Sequence, residues 1–397
     1  MNPADRFADS KGSDARTIAS PGPVKRVAFI LVTLVLVGGL LVLGLEVLLG
    51  LLDRARPIVS GWRAPQGTAF RFQYNQLGFR GVPINYSTSD FVVLLIGDSQ
   101  VQADACSYYW LPERRLEHHL SSTRPVRVFS LAADGWGQDQ QLLALREYFQ
   151  MFRADLVIVW QTPGNDLWNN TFPTADRLQL KPTYWLENGA LRGPTSHIGE
   201  EISSRSRLFT FYQRNLVSWD RQWERYLPPP YVPIHDYVGP VKTTWQSLKD
   251  QKLGNVTWDD MATEKSHQTI YLTPRSPRTQ YGLDLTHKLL QEIEKLVTSQ
   301  NGRFAMFWVR PNDPVTTQKT ELDEVVHVVN GKYYKTSDAQ LNENMDYVSR
   351  DFNRFIVSLS VTPWRVGPED EHPNEHATDQ IIRDLAADVV NFIPSRH

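Results

Sequence analysis

Residues 91–100 read Phe91-Val92-Val93-Leu94-Leu95-Ile96-Gly97-Asp98-Ser99-Gln100. An unbroken apolar run of this length, closed by glycine, is what a strand covered on both faces requires. Three further stretches read as strands: Val126–Leu131, Asp155–Gln161, a buried one, and Arg303–Val309. Between and after them lie stretches with helical patterning, over residues 107–121, 138–151, about 281–300, 340–360 and 375–393. Val361–Val366 reads as a short strand. In the 281–300 stretch, Leu289, Ile293, Leu296 and Val297 share one face, and Asn301-Gly302 supplies a stop. Buried strands alternating with helices predict βαβ units and a parallel sheet, and so an α/β fold.

Outward from this core the composition changes. Residues 27–52 form an apolar stretch with one charge, Glu46, near its far end. At about 1.5 Å rise per residue such a helix spans a bilayer core of roughly 30 Å. Lys25 and Arg26 precede it while Asp53, Arg54 and Arg56 follow, a narrow bias toward an N-terminus inside. The run is too long for a signal-peptide core and no A-x-A site follows, which favours an uncleaved anchor. Residues 1–26 are then a cytoplasmic tail, 27–52 a transmembrane anchor, 53–90 a connecting arm, and 91–397 the main domain. The pattern dissolves between about 170 and 275. That stretch holds Trp185, Trp219, Trp223, Trp245 and Trp258 and a Pro-rich segment beginning Tyr226-Leu227-Pro228, and it reads as an insertion.

The bulk numbers exclude several classes. The chain has 397 residues, 41% hydrophobic and 22% charged, with net charge −2. That composition can bury a core, and no basic face invites nucleic acid. Cys106 is the single cysteine, so neither an internal disulfide nor a thiolate metal cluster can form.

Gly97-Asp98-Ser99 follows the first strand directly. In an open parallel sheet the loops at the carboxyl ends of strands form the ligand crevice. A serine there has a helix N-terminus behind it, whose N–H groups favour an oxyanion. Taken alone the tripeptide is equally a capped turn. Its weight comes from company at the same rim. Ala133-Asp134-Gly135-Trp136-Gly137 follows the second strand, Gly164-Asn165-Asp166 the third, and Asp370-Glu371-His372-Pro373-Asn374 precedes the last helix.

Ser99, Gly135, Asn165 and His372, in this order, resemble the four blocks of the SGNH/GDSL hydrolase superfamily. The resemblance covers about 91–170 and 300–393. It extends to Asn75–Arg80, to Asp139-Gln140-Gln141 and to the glutamate near the end of the anchor, features like those of a membrane-tethered bacterial branch. It implies a flavodoxin-like three-layer α/β/α fold with one insertion and an N-terminal transmembrane helix. It also implies a serine esterase working through an acyl-enzyme, with no cofactor and no metal. Ser99 would be the nucleophile, His372 the base and Asp370 its acidic partner, with Glu369 as the alternative acid. Ser99, Gly135 and Asn165 would form the oxyanion hole. Gln100 replaces the leucine of the signature, and Ala377 stands where glycine is often found.

The expected substrate is an O-acyl group, such as O-acetyl, on a carbohydrate or cell-envelope glycan outside the inner membrane (the periplasm). The alternatives are O-acyl transfer to an envelope polysaccharide, or a non-catalytic envelope scaffold. Trp136 and Trp168 flank the Gly135 and Asn165 blocks and are candidates to line the substrate cleft. Other readings are plainer. His372 and His376 have helical metal-ligand spacing but lack a third ligand. His118-His119, with Glu113, Arg114 and Arg115, reads as a solvated helix face, Cys106 as an inert thiol, and Asp98 and Asp166 as pins for the site loops.

Overall fold

The computed structural model describes residues 22–55, 73–121, 125–175, 179–195, 206–216, 223–241, 243–244, 261–311, 324–361, 363–367 and 370–393. It divides into two units, residues 1–55 and 56–397. The first holds one helix, α1 (Pro23–Ala55), with nearly every apolar side chain exposed. The stretch Pro23–Leu52 is long and apolar enough to cross a membrane. A signal sequence meets the same description.

The second unit is built on five parallel strands: β1 (Phe91–Gly97), β2 (Val126–Ala132), β3 (Leu156–Gln161), β4 (Arg303–Pro311) and β5 (Arg354–Leu359). Their order across the sheet is β2-β1-β3-β4-β5, all pairs parallel. This is the flavodoxin-like order, with its switch point between β1 and β3. Around the sheet lie α2 (Ser99–Gln102), α3 (Pro112–Leu120), α4 (Gln138–Phe152), α5 (Pro163–Thr171), α6 (Pro277–Ser299), α7 (Asp338–Ser349) and α8 (Glu375–Val389), and a further helix, Arg207–Leu216, falls within the 170–275 stretch.

Period-two alternation along the strands sorts their side chains into two cores. Val92, Leu94 and Ile96 of β1 pack with Leu142, Leu145, Leu289, Ile293 and Met345 of α4, α6 and α7. Phe91, Val93 and Leu95 face the opposite way, onto Leu116 and Leu120 of α3 and Ile381, Ile382 and Leu385 of α8. All of β1 is therefore buried, as its unbroken apolar run requires. The α/β expectation with helices on both faces of a parallel sheet holds.

Several local expectations differ. The 340–360 stretch is not one helix: α7 stops at Ser349 and Arg354–Leu359 is the edge strand β5. Phe355, Val357 and Leu359 alternate inward with Arg354, Ile356 and Ser358 outward, a pattern that short segments can share with a helix. The Val361–Val366 strand is instead Arg365–Gly367, paired antiparallel with Asp370–Pro373. Residues 325–329 and 332–336 form an antiparallel hairpin that the reading omitted. Asn330 and Gly331 both have positive φ at its tip (50° and 74°), so the Asn-Gly hairpin signal was there to use. The 107–121 helix starts only at Pro112, after a 3-10 turn at Tyr108–Trp110. Within 170–275 the described pairings are strands of two or three residues.

The α3 face is not simply solvated either. His119 Nε2 lies 3.0 Å from Asp379 of α8, and Glu113 is wholly buried. Burial pushes the Glu113 carboxyl up to about 7, against the opposing pull of its own and Val82's backbone N–H, of Ser130 and of the Arg80 charge. Between the ordinary carboxylate value and 7, the folded state therefore binds a proton that the unfolded chain lacks. The stability this contributes is complete below the unfolded value and is lost as pH rises to about 7. Glu113→Gln is expected to remove this slope, raising stability at pH 8 relative to pH 5 by about 3 kcal/mol against the parent. Urea unfolding at both pH values checks it.

Candidate active site

The site forms at the switch point because β1 and β3 both end there. Gly97 closes β1, and a Cβ on it would collide with Val101 Cγ2 and lie 3.3 Å from the Trp160 carbonyl. The chain turns at once into α2, with Ser99 as its first residue, half-buried. Asp98 caps this helix, its Oδ1 accepting from Gln100 N at 2.9 Å. The other end closes through Ala103, whose φ is +50° and whose N–H donates to Ser99 O. Arg80 secures that end, its guanidinium donating to the carbonyls of Gln102 (2.9 Å), Ala103 and Cys106 (2.6 Å). Arg80 belongs to the Asn75–Gly81 turn, where Phe79 is buried as a docked aromatic should be.

His372 comes from the far end of the chain. Ser99 Oγ–H donates to His372 Nε2 at 2.8 Å, and His372 Nδ1–H donates to Asp370 Oδ1 at 2.6 Å. Asp370 and His372 lie two apart on one short strand, so their side chains share a face. The same Asp370 oxygen accepts the His372 backbone N–H at 3.0 Å. Partial burial pulls the Asp370 carboxyl up, but the two His372 hydrogen bonds and its charge outweigh this and hold it below the usual range. Glu369, the alternative acid, lies outside the described residues. Asn374 anchors this hairpin to α8: its Oδ1 caps Ala377 N, its N–H donates to Trp364 O, and its Nδ2 donates to Pro363 O. Sequence reasoning missed that role, although an Asn just before an apolar-periodic run is an N-cap signal.

Asn165 lies in the first turn of α5. Its Nδ2 donates one hydrogen to Asp98 Oδ2 at 2.7 Å, which leaves the second amide hydrogen for another acceptor. Gly135 is buried with φ +70°, a conformation that suits glycine. Gln102 Oε1, at the end of α2, accepts from Asp134 N at 2.5 Å and ties the Gly135 loop to the serine helix. Asp98 and Asp166 pin the site. Asp98 also accepts from Thr162 Oγ1, and Asp166 accepts from Thr162 N and Gln138 Nε2. Burial pushes both carboxyls up. Hydrogen-bond donors oppose this, while at Asp166 the Asp98 charge adds to it.

Two expected residues are placed elsewhere. Trp136 is 1% exposed and packs edge-on against Phe79, and Trp168 is 6% exposed with its ring beside His267. Neither ring is exposed at the rim: Trp136 belongs to the core beneath the loops, and Trp168 is buried beside a small cavity lined by Phe172 and Glu264. His372 sits on a strand and His376 on α8, so helical i, i+4 ligand geometry does not apply. Among the described residues no group of three or more metal-ligating side chains forms.

The switch-point serine, the glycine and asparagine loops on either side of it and the late histidine come together at one rim of the sheet. The fold is a doubly wound α/β sheet of flavodoxin-like strand order.

No family model matches the chain, and no curated relative matches it. Solved structures do. One from Agrobacterium tumefaciens, assigned as an arylesterase, is 14% identical over 76% of this chain and 99% of its own, with TM-score 0.35. A psychrotrophic esterase from Pseudoalteromonas sp. is 8% identical over 76% of this chain and 98% of its own, with TM-score 0.32. A GDSL-like lipase assignment from Parabacteroides merdae is 11% identical over 78% and 99%, with TM-score 0.32. Likeness at this level says nothing about chemistry, which must come from the side chains of this chain.

Proposed function

We propose that this protein is a serine esterase of the SGNH/GDSL type. The observation that carries the reading is the continuous hydrogen-bond line from Ser99 Oγ through His372 to Asp370 at the switch point. In the forward step His372 Nε2 takes the Ser99 proton as Oγ bonds to the ester carbonyl carbon. Asp370 holds Nδ1–H, so Nε2 stays the acceptor, and it stabilises the imidazolium. Collapse of the tetrahedral intermediate returns the proton to the leaving alcohol. Water then repeats the sequence on the acyl-enzyme and releases the acid. The negative oxygen would be met by the N–H groups of Ser99 and Gly135 and by the second Asn165 amide hydrogen.

The substrate we infer is an O-acylated carbohydrate or envelope glycan. Support comes from α1, which would hold the domain at a membrane, with residues 1–26 inside and the site on the periplasmic face. The test is release of p-nitrophenol from acetyl and longer esters by the full-length protein in detergent. A protein that turns over none of them is not an esterase of this kind. Acetate release from an O-acetylated glycan tests the substrate class. Asn165→Ala is expected to lower kcat about 10²–10³-fold with KM little changed, since the amide acts on the transition-state oxygen. Steady-state kinetics check it.

A further inference from the structure

The proposed oxyanion donors Gly135 and Asn165 sit on different elements, one just before α4 and one in the first turn of α5. Their relative position is held by side chains. Asn170 Oδ1 on α5 accepts from Asp139 N on α4 at 3.3 Å, and Asn170 Nδ2 donates to Gln138 Oε1 and to Thr286 Oγ1 of α6. Gln138 Nε2 donates back to Asp166 Oδ2 at 2.7 Å. Asp139 Oδ1 accepts from Gln140 N at 2.8 Å, closing the first turn of α4. The approach is close: a Cβ on Gly137 would meet Asn170 Oδ1 at 2.5 Å and Asp139 Oδ1 at 3.0 Å. The array ends on Lys181, in the segment after α5, whose Nζ pairs with Asp139 Oδ2. Both side chains of this pair are fully buried.

Lys181 is the basic partner of the Asp139 carboxyl, whose other oxygen accepts from Gln140 N, and the carboxyl of Asp166 interacts unfavourably with it from α5. Two apolar side chains of the same volume could fill this space at less electrostatic cost. They could not set a direction for the first turn of α4. An unpaired Asp139 has one easy relaxation, rotation of that turn toward water, and Gly135 lies immediately upstream of it.

We propose that Lys181 is a positioning residue whose buried ion pair with Asp139 sets the register of Gly135 against Asn165, and so the shape of the oxyanion hole. The proposal rests on the esterase reading, because it concerns donors to a developing oxyanion.

The test compares the full-length parent with Lys181→Met and with the Asp139→Asn/Lys181→Met double variant, which leaves no buried charge unpaired. Three quantities are read: Tm, kcat on p-nitrophenyl acetate against its thiono analogue, and deuterium uptake of residues 133–141. Sulfur accepts hydrogen bonds poorly, so the oxygen-to-sulfur ratio of kcat reports the oxyanion donors and is insensitive to general loss of folded protein. Lys181→Met is expected to lower kcat on the oxygen ester about 10–10²-fold with KM nearly constant, the scale of a small misplacement of catalytic groups. The ratio should fall and uptake should rise. The double variant should regain Tm without regaining kcat or the ratio, and it carries the test if the single variant does not fold. A double variant that regains parental kcat together with Tm, or a ratio or uptake unchanged in both variants, overturns the proposal. A parent inert to every ester would sink the esterase reading instead. The uptake comparison would still decide the lock, upheld by a rise in residues 133–141 and overturned by none.

Discussion

Ser99→Ala is expected to leave the full-length protein folded and to lower kcat on p-nitrophenyl acetate by about 10⁴–10⁶. The serine is half-buried, and its hydroxyl hydrogen bond runs to His372, so removing one oxygen opens no sizeable cavity in the core. His372→Ala should lose about as much, because without a base the hydroxyl is a poor nucleophile at neutral pH. The double variant should be no worse than either single one, since groups that act as a unit do not add. Circular dichroism and Tm establish folding, and burst-phase p-nitrophenol release distinguishes a slow acyl-enzyme from none. Ser99→Ala retaining more than a few per cent of parental turnover would place the nucleophile elsewhere.

Asp370→Asn is expected to cost about 10²–10⁴ in kcat, while Glu369→Gln should stay within a few-fold of the parent. An amide at 370 can offer either N–H or C=O to His372 Nδ1. The tautomer that leaves Nε2 as acceptor is then no longer enforced, and the imidazolium loses its counter-charge. The Asp370 side chain is 46% exposed, so water partly replaces it and the loss should fall toward the lower end. Its carboxyl is held below the usual range, as the two His372 hydrogen bonds outweigh the pull of burial. Its orienting charge is therefore present at every pH above about 4, and any loss of activity on acidification above that value must report another group. Rate–pH profiles of the parent and Asp370→Asn between pH 4 and 9 check this. The reverse ranking of the two variants would give the acidic role to Glu369.

The sheet was legible because burial on both faces imposes apolar runs, unbroken over 91–97 and 156–160 and dominant over 126–132 and 303–311. The edge strand 354–359 was read as helix because an edge needs only every second residue buried, and six residues of that pattern do not separate period two from period 3.6. Ser99 and Asn165 were legible because loops at the ends of buried strands have nowhere to go but the rim of the sheet, and His372 only through the order of the four blocks. Trp136 and Trp168 were misplaced because a large aromatic beside a site loop serves equally well to pack beneath it, and adjacency in the chain cannot say which.

The buried runs and the order of blocks along this chain, taken with the resemblance those blocks carry, were enough to expect a serine, a glycine, an asparagine and a histidine at one edge of a parallel sheet. Tertiary structure alone decided how they are held: Arg80 on three carbonyls at and beyond the end of the serine helix, Asn374 clamping the histidine hairpin, Asn170 and Gln138 joining α4 to α5, and Lys181 buried against Asp139. Each of these joins separate segments of the chain through one to three polar contacts. A buried polar contact leaves no periodic trace in a sequence, because its partner is chosen by proximity in the folded state and not by spacing along the backbone.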